Sequence, residues 1–131
     1  MILLDTHIWI WWLNGATSEL GKNWADVIRS SPRIGVSAIS CFEVAWLEQH
    51  HRIELNINMA EWFEKATTGS GIEIVPITPA IAETAVKLPE HHTDPQDRLI
   101  MATAIANKAQ LISADAKFNL YRELDGFRIQ K

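Results

Sequence analysis

One cysteine, Cys41, stands in a chain of 131 residues, so no intramolecular disulfide can form and no cysteine pair is available for a zinc knuckle. A reducing cytoplasm suits that economy. No apolar run approaches the roughly 18 residues that cross a bilayer, so no membrane association is expected. The opening is apolar from Ile2, but Asp5 interrupts it, no basic segment precedes it and no small-residue cleavage site follows, so it reads as part of the fold and not as a signal peptide. Excess positive charge is missing too: 12 Lys and Arg against 16 Asp and Glu give a formal charge of −4. A protein whose task is to coat nucleic acid is normally basic, so passive coating is excluded, while a local site that meets phosphate through a metal is not. Internal repeats, linker-like stretches and charge blocks are also lacking.

What is present is an ordinary globular mixture, 47% hydrophobic and 21% charged, with six tryptophans. A single domain over residues 1–131 follows from the length, and such a chain buries roughly two-thirds of its unfolded surface, enough for a core without staples. Short apolar runs at Ile2-Leu3-Leu4, Ile34-Gly35-Val36, Ile72–Ile77 and Leu111-Ile112-Ser113 suit strands buried on both faces, with Phe127-Arg128-Ile129 as a last strand. Helical spacing covers 18–30 and 59–68. Ser40 and Glu43 match a capping box opening a helix to about His50. Thr78-Pro79 starts a helix to about Leu88, and Asp94-Pro95 starts another whose buried stripe is Leu99, Ala102, Ile105 and Ala106. Alternation of this kind predicts a three-layer α/β fold: a mostly parallel central sheet of about four to five short strands with helices on both faces.

In such sheets ligands gather at the carboxyl ends of the strands, and several acids fall there. Asp5 follows the first strand, Glu43 lies a turn into the helix after the second, Asp94 and Asp97 open a later helix, and Asp115 follows the strand ending near Ser113. Each has an ordinary structural explanation: strand end, capping box, N-cap, helix-dipole partner, turn. Together they make a cluster whose members repel one another unless a cation sits between them. All-oxygen ligation suits Mg²⁺ or Mn²⁺, which binds through a few carboxylates plus a substrate phosphate and activates water, with two ions about 3.5–4 Å apart in the two-metal form. The adjacent His91 and His92 read as a solvated loop pair. Arg98 is either a surface ion-pair partner or a phosphate contact. The run Ile8-Trp9-Ile10-Trp11-Trp12-Leu13 is too aromatic for one helix face to bury entirely, which leaves part of it for a protein–protein surface.

Four blocks carry a family resemblance: Leu3-Leu4-Asp5-Thr6-His7; Ser37-x-x-Ser40-x-x-Glu43-Val44; His92-x-Asp94-Pro95-x-Asp97-Arg98-Leu99-Ile100; and Ser113-x-Asp115-x-x-Phe118-x-x-Tyr121. In order and spacing they resemble PIN-domain proteins of the VapC toxin type over essentially the whole chain. The resemblance implies an endoribonuclease dependent on Mg²⁺ or Mn²⁺, the toxin of a toxin–antitoxin pair. It places the catalytic and metal-binding quartet on Asp5, Glu43, Asp97 and Asp115, with Asp94 as a further nearby carboxylate. Ser113 and Arg98 become candidates for positioning the substrate. A homodimer bound by a small antitoxin, whose C-terminal segment covers the site, is implied as well. Departures occur at Gln96, where an aromatic is common, and at Cys41-Phe42, where a Trp usually precedes the acid. Hydrolysis would leave a 5′-phosphate and a 3′-hydroxyl. The competing expectations are a catalytically inactive PIN-like interaction module and a metal phosphohydrolase acting on DNA or a small phosphoester. The lack of an Asp-x-Asp motif after the first strand speaks against haloacid-dehalogenase chemistry.

Overall fold

The computed structural model describes all 131 residues. Strand β1 (Ile2–Leu4) leads directly into helix α1 (Thr6–Leu13), and α2 (Thr17–Ser30) returns the chain to β2 (Ile34–Ser37). Helices α3 (Ala38–Gln49) and α4 (Met59–Ala66) precede β3 (Glu73–Val75), and α5 (Pro79–Lys87) and α6 (Pro95–Ala106) precede β4 (Gln110–Ile112). Two short 3-10 turns, Ala116–Leu120 and Arg122–Leu124, complete the chain. All strands are parallel, in the order β3-β2-β1-β4. From β1 the chain builds outward on one side and then crosses to the other for β4, so the strand order reverses between β1 and β4. That reversal is where open α/β sheets leave a crevice at their carboxyl edge.

The strands are short because both faces are covered. Ile2, Leu4, Ile34, Val36 and Ile112 join one core with Ile8, Trp9, Trp24, Ile28 and Trp62 from α1, α2 and α4. Leu3, Val75 and Leu111 join the other with Ile100, Met101 and Ala104 of α6. Helix α5 packs on the far side of α6 through Ile81, Ala85 and Ala102. Hence α6 is buried almost all round, and its apolar residues follow no single stripe: Leu99 and Ile105 are only half-buried and Ala106 is exposed, whereas Ile100, Met101 and Ala104 are buried. No helix is long and apolar enough to cross a membrane.

Three other expectations are corrected. The helix expected to open at Ser40 begins at Ala38, because Ser37 at the strand end caps it by accepting from the Ile39 N–H at 3.3 Å. Ser40 and Glu43 therefore form no capping box and are free to face another element. The last strand is a single bridge between Arg128 and Leu111: Ile129 N–H donates to the Leu111 carbonyl, after which the Ile129 carbonyl accepts from the Trp24 indole. The third strand covers 73–75 instead of 72–77.

Within the aromatic run, Trp9 is wholly buried, edge-on to Trp62 with ring centroids 5.0 Å apart, and its Nε1–H donates to the Ala66 carbonyl at 3.0 Å. Trp11 and Trp12 are half-buried. Trp9→Phe keeps a ring but deletes that donor and leaves a small void, so a loss of about 1–3 kcal/mol is expected in denaturant unfolding.

Candidate metal and active site

The backbone at the carboxyl edge aims the acids inward. Asp5 N–H donates to the Ile112 carbonyl at 3.0 Å, locking the end of β1 to β4. Asp5 then caps α1, its Oδ1 accepting from the Thr6 N–H at 2.8 Å, while its Oδ2 accepts from Ser113 Oγ at 2.6 Å. Ser113 Oγ in turn accepts the Asp115 N–H at 3.0 Å. Ser113 is thus spent on orienting two acids, and its expected place as a direct substrate contact gives way to positioning Asp5 and Asp115. On the other flank the Thr6 hydroxyl donates to Glu43 Oε1 at 2.6 Å and shares a hydrogen bond with Ser40 Oγ at 2.9 Å.

Asp5, Glu43, Asp97 and Asp115 line one cleft of about 280 Å³, with His7, Trp11 and Ala114. Asp94 stays outside it as the exposed N-cap of α6, accepting from the Gln96 N–H at 2.8 Å, and borders a neighbouring cavity that Glu43 shares. The four acids are electrically unbalanced. Burial first, then the charges of Asp5, Asp94, Glu43 and Asp115, push Asp97 up to about 8. Burial likewise raises Asp5, against hydrogen bonds from Ser113 and Thr6, and raises Glu43 against the Thr6 hydroxyl. Carboxylates packed this way hold protons or a cation. An all-oxygen donor set with no thiolate fits a hard divalent ion.

His92 corrects the expectation of a solvated pair. It is 7% exposed, and its Nε2 lies 2.8 Å from Asp97 Oδ2 and 3.0 Å from Asp115 Oδ2. The Asp94 N–H donates to its Nδ1 at 3.4 Å, and its Nε2 hydrogen-bonds Asp115 Oδ2 with Asp97 Oδ2 alongside. His92, Asp97 and Asp115 offer ligand atoms within 4.8 Å of one another. His91 remains exposed, edge-on to Tyr121. The sequence held a signal for His92, its fixed place two residues before Asp94, but its burial depends on Tyr121, whose hydroxyl accepts the His92 N–H at 2.8 Å and donates to the Pro89 carbonyl at 2.8 Å. Thr6 and Ser40 were missed as supports of Glu43 because the capping-box pattern assigned Ser40 elsewhere.

Arg98 is corrected as well. It is 9% exposed and donates to four backbone carbonyls, those of Val86, Leu88, Pro89 and His92, at 2.6–3.1 Å. It neither pairs with a surface acid nor reaches the cleft. Among nearby cations, Lys117 borders the cavity beside the cleft and Arg128 is tied to Asn119.

Ser113→Ala is expected to lower cleavage by about 10–100-fold, the range for losing an outer partner of a metal ligand. Ser113→Thr restores the hydroxyl and most of the rate. Steady-state cleavage assays across a metal titration check this, and an unchanged rate in the alanine variant refutes the positioning role.

Comparison with known proteins follows the same outline. The PIN domain family profile matches residues 2–124. Ribonuclease VapC22 of Mycobacterium tuberculosis is 37% identical over 122 residues, covering 92% of each chain. Among solved structures, a toxin–antitoxin complex from Klebsiella pneumoniae superimposes with a TM-score of 0.62 at 22% identity, over 99% of this chain and 97% of that one. VapBC2 from Rickettsia felis, bound to a DNA fragment from their promoter, gives 0.68 at 19% identity over 94% and 95%. These two share the fold.

Proposed function

The chain belongs to the PIN-domain family, and from that premise we propose that it is the endoribonuclease toxin of a toxin–antitoxin pair, hydrolysing RNA phosphodiesters at its acidic cleft. The observation that carries this is the convergence of Asp5, Glu43, Asp97 and Asp115 from four separate parts of the chain onto one cleft, with Asp97 pushed up to about 8. PIN nucleases depend on a divalent metal, and the all-oxygen set fits Mg²⁺, with Mn²⁺ able to replace it. Asp5 and Asp97 would hold the ion, with Glu43 and Asp115 completing the set directly or through water. When bound, such an ion lowers the pKa of water and neutralises charge developing on the phosphate.

The chain's own residues prepare the cleft. Ser113 fixes the carboxylate plane of Asp5, the Thr6 hydroxyl fixes Glu43, and His92 Nε2 bonds Asp115 and lies 2.8 Å from Asp97. Preorganised ligands need little rearrangement when the cation arrives. The net charge of −4 opposes RNA approach, so attraction is local, through the metal and nearby cations such as Lys117. The solved structure named as a toxin–antitoxin complex supports a small antitoxin partner; to it we add a homodimer as the working unit and a cytoplasmic location. Half-buried Trp11 beside the cleft and Trp12 next to it offer apolar surface to the antitoxin segment that covers the site.

A substrate panel tests this directly. Single-stranded RNA is expected to be cut with Mg²⁺ and left intact with EDTA, while DNA and phosphomonoesters are spared. Full RNA cleavage in EDTA refutes the mechanism. Hydrolysis of DNA or phosphomonoesters instead points to the phosphohydrolase alternative, and no hydrolysis with antitoxin binding intact points to the inactive module.

A further inference from the structure

A second cavity, about 750 Å³, opens beside the acidic cleft and shares Glu43 with it. Its size lies within the roughly 300–1,000 Å³ of small-molecule sites. The wall from α3 carries Trp46, which stays 42% exposed. One face of its indole is covered by His50 one helical turn later: the rings are 3.9 Å apart and 18° from parallel, and His50 Nδ1 bonds the Trp46 carbonyl at 2.8 Å, which fixes the imidazole in place. The indole face is thus exposed on one side and held rigid by a stacked partner on the other. Across the cavity stand Thr93 and Gln96, with side chains that both donate and accept, and Lys117.

We propose that this cavity is a nucleobase subsite: an unpaired base next to the scissile phosphate of the RNA stacks on Trp46, its polar edge meets Gln96 or Thr93, and Lys117 attends the backbone. The assignment rests on the nuclease reading and deepens it. The subsite adjoins the acidic cleft through Glu43, which lines both, and Asp94 on the rim repels phosphate, which favours the neutral base there. Unstacked bases held on aromatic faces are the usual way that proteins grip single-stranded RNA. Gln96 stands where an aromatic is common in the resembling family, so this edge of the pocket is polar in this chain.

The test uses the intact protein with Mg²⁺ and a short single-stranded RNA that it cleaves, then the same RNA with one abasic step placed at each position in turn. An abasic step at one position adjoining the cut is expected to raise KM about 10–100-fold with kcat unchanged, the effect of losing one base–aromatic stack. Trp46→Ala is expected to show the same rise on the complete RNA and no further rise on the abasic one, while Trp46→Phe keeps most of the affinity. A flat abasic scan, or a Trp46→Ala loss that simply multiplies the abasic loss, overturns the subsite. So does an unchanged KM in Trp46→Ala with weakened antitoxin binding or self-association, which assigns the surface to a protein. If the parent protein neither cleaves nor binds RNA, the nuclease reading itself has failed; if it cleaves RNA but the scan is flat, only the subsite has.

Discussion

In metal-free buffer at pH 8 the Asp97→Asn variant is expected to melt well above the parent, and with Mg²⁺ to cleave RNA more than a hundredfold slower, beyond the roughly 10–100-fold loss that an outer partner of the metal gives. The two effects have one cause. Unfolded, Asp97 loses its proton near 3.8; folded, burial and the surrounding acids hold that proton until about 8. Well below pH 4 both states carry the proton and the residue is neutral in its effect on stability. As pH rises toward 8 the unfolded chain releases the proton first, so the native state falls progressively behind, by a few kcal/mol in all once solvent screening is allowed for, and the difference is constant well above 8. Asparagine removes that penalty, so the two melting curves converge at pH 4 and separate toward pH 8.

A divalent cation reverses the comparison. On the proposed reading it binds the ionised native cleft and not the unfolded chain, so Mg²⁺ is expected to raise the parent's melting temperature at pH 8 and much less at pH 5, where protons compete. The variant gains little at either pH. Calorimetry at pH 4, 6 and 8 with Mg²⁺ and with EDTA, beside a cleavage assay, checks the set. A parent-minus-variant difference that stays constant with pH, or cleavage by the variant at the parent's rate, contradicts the picture of Asp97 as a metal ligand in an overcharged cleft.

The parts of this site that were legible from sequence share a property: each sits where local geometry alone decides its direction. Asp5 directly follows a strand in the middle of a parallel sheet, so the carboxyl-edge rule places it. Asp97, in the first turn of α6, is placed by the same edge once the alternation of strands and helices is read. Glu43 was placed by its position after the second strand, and its ordinary alternative fails: the N-cap is Ser37, three residues before the one the capping pattern implied, and the carboxylate turns to Thr6 rather than to its own helix end. His92 escaped because which of two neighbouring histidines is buried depends on Tyr121, twenty-nine positions on, and no local pattern carries that. Trp46 gave no signal either, since an aromatic on an amphipathic helix defaults to the core. The stripe on α6 was misread because periodicity assumes one wet face, which a helix between the sheet and α5 does not have, and the fifth strand shrank to a bridge because the Ile129 carbonyl turns to the Trp24 indole.

Arg98→Met is expected to unfold the protein by about 3–5 kcal/mol, lowering the melting temperature by roughly 10–20 °C. Although Arg98 follows Asp97, a step of one residue turns about 100° around a helix, so the two side chains leave α6 in different directions. Asp97 faces the cleft, and Arg98 faces the end of α5. There its guanidinium meets the carbonyls of Val86 and Leu88 at the negative end of that helix, and those of Pro89 and His92 in the loop beyond. No carboxylate bonds it; the helix dipole and four acceptors balance the buried charge instead. Methionine fills the space but strands buried acceptors, and it releases the loop that delivers His92 to Asp97 and Asp115. Arg98→Lys keeps the charge with a single nitrogen, cannot span four carbonyls and falls between. Thermal melts combined with cleavage kinetics separate the two possible roles of this residue. A structural pin lowers the melting temperature of both variants, with activity lost in proportion to the unfolded fraction near the transition. A phosphate contact instead leaves the melt unchanged and raises KM, and that result would return Arg98 to the substrate.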